Sequence, residues 1–197
     1  MFFRNKLSLA LQDKMAFLIE PVRPSSIKSH DRFILERKIF PYILSNCKKV
    51  LFVGCAKYTK SYNQVFSQIE YWTMDFLEAK SRYGSKNHVQ GNLTELSKYF
   101  KKDYFNAIIL NSVIGWGVDT APEIKKALVE CNQVMRPGGI LIIGWNDLGT
   151  RSSKEFREMI NNNRLFELFD LPTLNTYEYR TESHRHVFNF LRKPSRG

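Results

Sequence analysis

At 197 residues and 23.2 kDa the chain has the length of one domain, and its 43% apolar and 25% charged residues suit a globular protein rather than a disordered one. A net charge of +11 and a pI near 9.6 admit nucleic acid, an anionic membrane or an acidic substrate as partner. Three cysteines exclude a disulfide scaffold, and no apolar run approaches the roughly 18 residues of a membrane span. Basic pairs at Lys48-Lys49, Lys101-Lys102, Lys125-Lys126 and Arg192-Lys193 are scattered, which reads as a solvated basic surface. Cys47, Cys55 and Cys131 have no CxxC pairing and no His at zinc spacing. No metal is expected, and the thiols read as reduced and buried in a cytoplasmic protein.

In chain order, Met1 to Ile19 carries Phe3, Leu7, Leu11, Met15 and Leu18 near helical spacing. Such an amphipathic helix packs on the domain, serves as a lid, makes a homodimer contact or lies on a membrane surface; packing or a lid is the favoured reading. Glu20 to Ser26, with Pro21 and Pro24, is a linker that completes an N-terminal unit over 1–30, and 31–197 is a single domain. Asp31 to Leu44 is helical again, and Pro41 is expected to kink it or end it early.

Val50-Leu51-Phe52-Val53, ending at Gly54, is a short apolar run of the kind a doubly buried strand shows. Helix signals follow from Thr59 to Ile69. Tyr71 to Met74 is a second strand tipped by Asp75, and His88-Val89-Gln90 is a third. Asn92 and Glu95 have N-cap and N3 spacing for a short helix to Phe100. Phe105 to Leu110 is a strong strand ending at Asn111. Thr120 and Glu123 form a capping box, with Pro122 in the first turn, for a helix whose Ile124, Ala127, Leu128, Cys131, Val134 and Met135 share one face. Pro137-Gly138-Gly139 stops it, and Ile140 to Trp145 is the fifth strand. Ser152 and Glu155 open a further helix that Asn161-Asn162-Asn163 closes. His184 to Arg192 alternates and reads as a half-buried last strand.

Strands alternating with helices predict an α/β fold, Rossmann-like and doubly wound, with a mostly parallel sheet and helices on both faces. Ligands on such sheets bind at the carboxyl ends of the strands, which singles out Gly54, Asp75, Asn92, Asn111 and Trp145. Gly54 allows close backbone approach, and Asp75, 21 residues on, can accept both hydroxyls of a ribose. The turn Gly54-Cys55-Ala56-Lys57-Tyr58-Thr59 lacks the later glycines a pyrophosphate needs, and there is no GxxxxGK[ST] loop. S-adenosylmethionine carries no phosphate, and its sulfonium tolerates an aromatic neighbour such as Tyr58.

Residues 49 to 145 resemble the class I S-adenosylmethionine-dependent methyltransferases. The resemblance rests on Val50 to Ala56, Asp75, Phe105 to Asn111, and Arg136-Pro137-Gly138-Gly139-Ile140-Leu141. It implies a seven-stranded sheet closed by a hairpin within 165 to 192, with S-adenosylmethionine as cofactor. It also implies roles. Gly54, Cys55 and Ala56 line the methionine part with Tyr58 close by, Asp75 holds the ribose and Phe76 lies on the adenine. Asn92 and Leu93 sit at the adenine edge, and Asn111 and Ser112 face the methionine end and the acceptor. The chain departs from the family at Phe52, where an acidic residue is usual, and at Ala56 and Tyr58, where glycines are.

The reading is methyl transfer by in-line displacement to a hydroxyl or amine of a small molecule, such as a sugar or natural-product intermediate. Asp147, His184 and His186 are the candidate bases. Asp147 before Leu148-Gly149 is equally a turn residue, and the two histidines share one strand face. Trp116, between Gly115 and Gly117, either covers the acceptor or is a buried tryptophan in a tight turn. Two alternatives stand: a basic RNA-binding or RNA-methylating protein, with Trp72, Trp116 and Trp145 stacking bases, or a fold that has lost methyl transfer.

Overall fold

The computed structural model describes residues 30–181 and 185–195. Of the N-terminal helix and linker expected over 1–30, all but His30 lies outside the described residues, as does His184. One sheet holds eight strands: β1 (Lys49–Val53), β2 (Glu70–Asp75), β3 (Asn87–Gln90), β4 (Phe105–Asn111), β5 (Met135–Asn146), β6 (Glu167–Leu168), β7 (Glu178–Arg180) and β8 (His186–Arg192). Their order is β3-β2-β1-β4-β5-β8-β6, with β7 also pairing β8. Pairs from β3 through β5 are parallel, and β8 runs antiparallel to β5, β6 and β7. The chain enters the sheet in the middle, winds out to β3, then returns to β4 and winds the other way. The expected doubly wound, mostly parallel sheet is present, with one strand more than seven because the terminal stretch contributes three.

The alternation of side chains on the central strands builds two cores. Leu51, Val53, Ile108, Leu110, Leu141 and Ile143 pack beneath the helix Ala121–Val134 and the helix Arg151–Asn161. Phe52, Ile109, Ile142, Phe188 and Phe190 pack on the other face with Ile34 to Cys47, Tyr62 and Phe66. Each such side chain removed from water contributes about 2 kcal/mol, so the sheet is fixed from both sides. Phe52, where the resemblance led one to expect an acid, is fully buried with its ring 5.6 Å from that of Tyr62.

Helices are numbered in chain order. α1 (His30–Ile34) runs through a π-helical turn (Leu35–Ile39) into α2 (Phe40–Asn46). The helix therefore does not end at Pro41. It widens one turn ahead, the Phe40 N–H reaching Leu35 O, and Pro41 falls in the first turn of α2, where a missing N–H does no harm. The helix expected from Thr59 to Ile69 shrinks to a 3-10 turn (Lys57–Ser61) and α3 (Tyr62–Val65). Asn92 does cap the next turn, accepting from Thr94 N, but Glu95 turns away to Lys98 instead of closing a box. α4 (Ala121–Val134) has the predicted Thr120–Glu123 capping box. α5 (Arg151–Asn161) is capped by Thr150, two residues earlier than Ser152. β5 begins at Met135, ahead of the prolyl turn. β8 is buried on both faces, not half-buried, because Val187 and Leu191 enter one core and Phe188 and Phe190 the other. No described helix is long and apolar enough to cross a membrane.

Candidate active site

A pocket of about 360 Å³ opens at the carboxyl ends of β1, β2 and β4, where the winding reverses. Its floor is the turn after β1. Gly54 has φ +93°, a left-handed conformation that favours glycine. A Cβ there would sit 3.1 Å from Val113 Cγ2 and 3.3 Å from the Asn111 carbonyl, so the turn needs this residue for space as well. Asp75, the last residue of β2, is the clasp. Its Oδ2 accepts from Cys55 N at 2.7 Å and its Oδ1 from Leu77 N at 2.9 Å, with the side chain only 7% exposed. A carboxylate accepting backbone N–H groups makes strong bonds, and these two tie the β1 turn to the β2 turn.

The structure brings Gly54, Cys55, Ala56, Tyr58, Asp75, Phe76, Asn92, Leu93, Asn111 and Ser112 together in the lining of this one pocket. Phe76 is half-exposed, with its ring against Gly117. Trp116 is 70% exposed at the rim, which removes the reading of a buried tryptophan. Leu77, Lys80, Gly91 and Val118 also line the pocket and escaped the sequence reading. They stand in turns, loops and a short 3-10 helix (Glu78–Tyr83), where periodicity carries no signal.

On the β4 side the wall is polar and buried. Asn111 is 5% exposed, and its Oδ1 has no hydrogen-bond partner among the described residues. The Tyr58 hydroxyl is hydrogen-bonded to the Asn111 side chain; burial raises the Tyr58 pKa, and that bond opposes the rise. Arg32, from α1, lies over the Tyr58 ring at 4.4 Å, so a cation of the chain itself already covers one face of that ring. Arg32 also bonds Glu36 in the π turn, and Glu36 accepts from Tyr62 Oη at 2.8 Å. Nothing in the sequence pattern flagged Arg32 or Glu36, because charged residues on a helix face normally meet water. Burial pushes the Cys55 thiol up to about 11, with Asp75 adding to the rise, so the thiol is neutral.

His186 and Asp147 lie outside the pocket lining. His186 is buried on β8, where its Nδ1 meets Asn146 Oδ1 at 2.8 Å. The amide oxygen only accepts, so Nδ1 carries the proton. Its Nε2 and Asn111 Oδ1 both lie beside Gly144: a Cβ on that glycine would fall 2.8 Å from the first and 2.3 Å from the second. Asp147 is gripped by Arg157 at 2.7 Å and Arg180 at 2.6 Å, and its Oδ1 accepts from Gly149 N. Partial burial pushes its pKa up, but the bonds from Arg180, Gly149 N and Arg157 outweigh this and hold it at about 2. A carboxylate so stabilised is a poor base, and this one faces two guanidinium groups rather than the pocket.

Residues 51–143 match the family model described as a methyltransferase domain. Among solved structures, the chain is similar to the N-methyltransferase NodS of Bradyrhizobium japonicum in complex with S-adenosylhomocysteine. The TM-score is 0.61 at 11% identity, over 94% of this chain and 99% of that one. It is similar to an S-adenosylmethionine-dependent methyltransferase of Archaeoglobus fulgidus, with TM-score 0.57 and 14% identity over 83% and 93% of the two chains. It is also similar to the Burkholderia thailandensis 1,6-didemethyltoxoflavin N1-methyltransferase, with TM-score 0.53 and 14% identity over 96% and 90%. No curated protein matches the chain.

Proposed function

We propose, from the match of residues 51–143 to a methyltransferase domain and the likeness to S-adenosylmethionine-dependent methyltransferase structures, that the chain is a class I S-adenosylmethionine-dependent methyltransferase that methylates an amine, or less readily a hydroxyl, of a small molecule such as a sugar or natural-product intermediate. The observation that carries the reading is the Gly54 turn clasped by Asp75 at the point where the sheet reverses. The residues fit the cofactor. Each Asp75 oxygen keeps a lone pair beyond its bond to the backbone, enough for the ribose hydroxyls. Gly54, Cys55 and Ala56 would run along the methionine part, with Tyr58 beside them. Phe76 and the Asn92-Leu93 turn would run along the adenine, and Asn111 and Ser112 would stand at the methionine end next to the acceptor. The cofactor supplies a methyl group on a positively charged sulfur.

What the chain's own residues supply is alignment and exclusion of water, which can lower a barrier by roughly 7–11 kcal/mol. Among the described lining residues none is a ready base: the Cys55 thiol is neutral, the Tyr58 phenol is raised, and the Asp75 oxygens bind amides. This favours a neutral nitrogen, which attacks without prior loss of a proton. NodS and the toxoflavin enzyme, N-methyltransferases by description, are in keeping with that choice. His186 acts as a positioning residue by packing alone: its ring and the Asn111 amide both crowd Gly144, and loss of the ring would let the amide shift and displace the buried Oδ1 that a donor on the acceptor would use. Stacking of RNA bases gains little support: Trp72 packs edge-on against Phe100 and Trp145 is buried against Phe156, which leaves Trp116 as the exposed member of the three.

Calorimetry tests the reading. S-adenosylmethionine and S-adenosylhomocysteine should give binding heat and NAD none, and Asp75→Ala should abolish the signal. Heat with NAD alone would overturn the assignment. For the positioning role, His186→Ala should lower kcat while leaving S-adenosylhomocysteine affinity unchanged, and unchanged turnover would remove His186 from the mechanism.

A further inference from the structure

A second cavity of about 310 Å³ lies at the opposite edge of the sheet. It is built from the end of α2, the starts of β4 and β5 and the end of β8. From Asn106, on its wall, to Asn111 in the methyl-transfer pocket runs about 17 Å of strand, so the two sites are separate.

The chemistry of the wall is one-sided. Arg136 and Arg192 both line the cavity, and no carboxylate lines it. Neither guanidinium has an ion-pair partner among the described residues. Arg192 is fixed from beneath: its guanidinium carbon lies 3.7 Å from the centre of the Phe169 ring, and its Nε is buried without a hydrogen-bond partner. The Asn106 Oδ1 is taken by the N–H groups of Lys48 and Lys49, which leaves its amide N–H₂ to donate. Tyr42 is buried and its phenol is pushed up by burial, against the pull of Arg192, so it too keeps a proton to donate. Burial holds the Cys47 thiol up at about 12, hence uncharged.

We propose that this cavity binds a small phosphate dianion, either inorganic phosphate or the phosphate group of a metabolite. Two uncompensated guanidinium groups match a dianion, whereas a single carboxylate would leave one positive charge unanswered. The planar fork of Arg192, stacked and therefore pre-oriented, is the specific element, and Asn106 and Tyr42 add neutral donors for the remaining oxygens. The inference does not depend on methyl transfer, because none of these residues lines the other pocket.

The test is calorimetry of the full chain with inorganic phosphate, pyrophosphate, glycerol phosphate and acetate at matched ionic strength. Phosphate species should bind, and acetate should not. Tighter binding of glycerol phosphate than of inorganic phosphate identifies a metabolite as the natural source; the reverse identifies free phosphate. Arg136→Gln should weaken binding by about tenfold, as loss of a charge-assisted contact does. Arg192→Gln should weaken it further, with S-adenosylhomocysteine affinity unchanged in both. Arg136 is exposed, so its variant tests the site even if Arg192→Gln fails to fold. Absence of phosphate heat, equal heat from acetate, or binding untouched by Arg136→Gln overturns the proposal.

Discussion

Two aspartates follow strands at the same edge of the sheet, and their neighbours give them different work. Asp75 ends β2 and binds two neutral backbone N–H groups, so its negative charge is not cancelled and it lines the pocket. Asp147 follows β5 and is gripped by two guanidinium groups, while Arg157 reaches on to Glu178 and Asn189 joins Glu178 to Trp145. That charge is spent within a network that joins α5, β7 and β8. An acid after a strand is the same pattern in the sequence; the partners that the fold delivers decide whether it holds a ligand or holds the structure together.

The sharpest way to break this contrast is at Asp75. Asp75→Ala leaves the amides of Cys55 and Leu77 without their acceptor, at about 1–3 kcal/mol for each group left buried. Thermal unfolding should show a loss of about 3 kcal/mol, and S-adenosylhomocysteine affinity should fall at least about a hundredfold, the loss of two charged hydrogen bonds. Asp75→Asn keeps one acceptor oxygen and should recover much of the stability but little of the affinity. Wild-type affinity in Asp75→Ala would mean that this aspartate is as structural as Asp147. The next effect is at Gly144, on the β5 side. A methyl group there would collide with Asn111 Oδ1 and His186 Nε2. Gly144→Ala should destabilise by about 1–3 kcal/mol, as overpacking does, and should lower kcat more than it changes cofactor affinity. Full turnover in a folded Gly144→Ala would end the role assigned to that gap.

The same contrast shows what was legible in the sequence. The proposed cofactor half was locatable because local rules mark its strand ends (an apolar run ending in glycine, an acid at the tip of the next strand, a capped turn at Asn92) and the family resemblance supplied the remaining residues. All ten residues singled out there converge in space. The half beyond β4 was not, because its meaning is set by contacts distant in sequence. Asp147 meets Arg180 across 33 residues, and His186 meets Asn146 across 40. The aromatic Tyr58 reads as a partner for a sulfonium, and nothing in the sequence signals that Arg32 of α1 already lies over one face of its ring. Pro41 looked like a stop because a proline breaks an α-helix, and a widened π turn upstream has no sequence signature of its own.

Asp147 yields a smaller effect with a defined sign. Its folded pKa is depressed to about 2 from the ordinary aspartate value of 3.8. The stabilisation is therefore complete above the unfolded value and is lost as pH falls through that value toward the folded one. Allowing for solvent screening at this partly exposed site, about 1 kcal/mol is at stake. Asp147→Asn should lower stability by that amount at neutral pH, flatten the acid limb of the unfolding profile between about pH 4 and 2, and leave turnover intact. Loss of turnover with unchanged stability would restore Asp147 as a base.

The smallest expected change in stability is at Trp116. The side chain is 70% exposed between Gly115 at φ +85° and Gly117 at φ +116°, and it touches the pocket rim rather than a core. Truncating an exposed side chain with no buried contacts normally moves stability by less than about 0.5 kcal/mol. A ring that closes over the acceptor contributes only when the acceptor is present, so the loss should fall on KM. Trp116→Ala should leave the unfolding midpoint and cofactor affinity in place and raise the acceptor KM several-fold. If stability fell instead, the ring would belong with Trp145 and Asp147 as part of the framework, and the rim would have no residue of its own to recognise what is methylated.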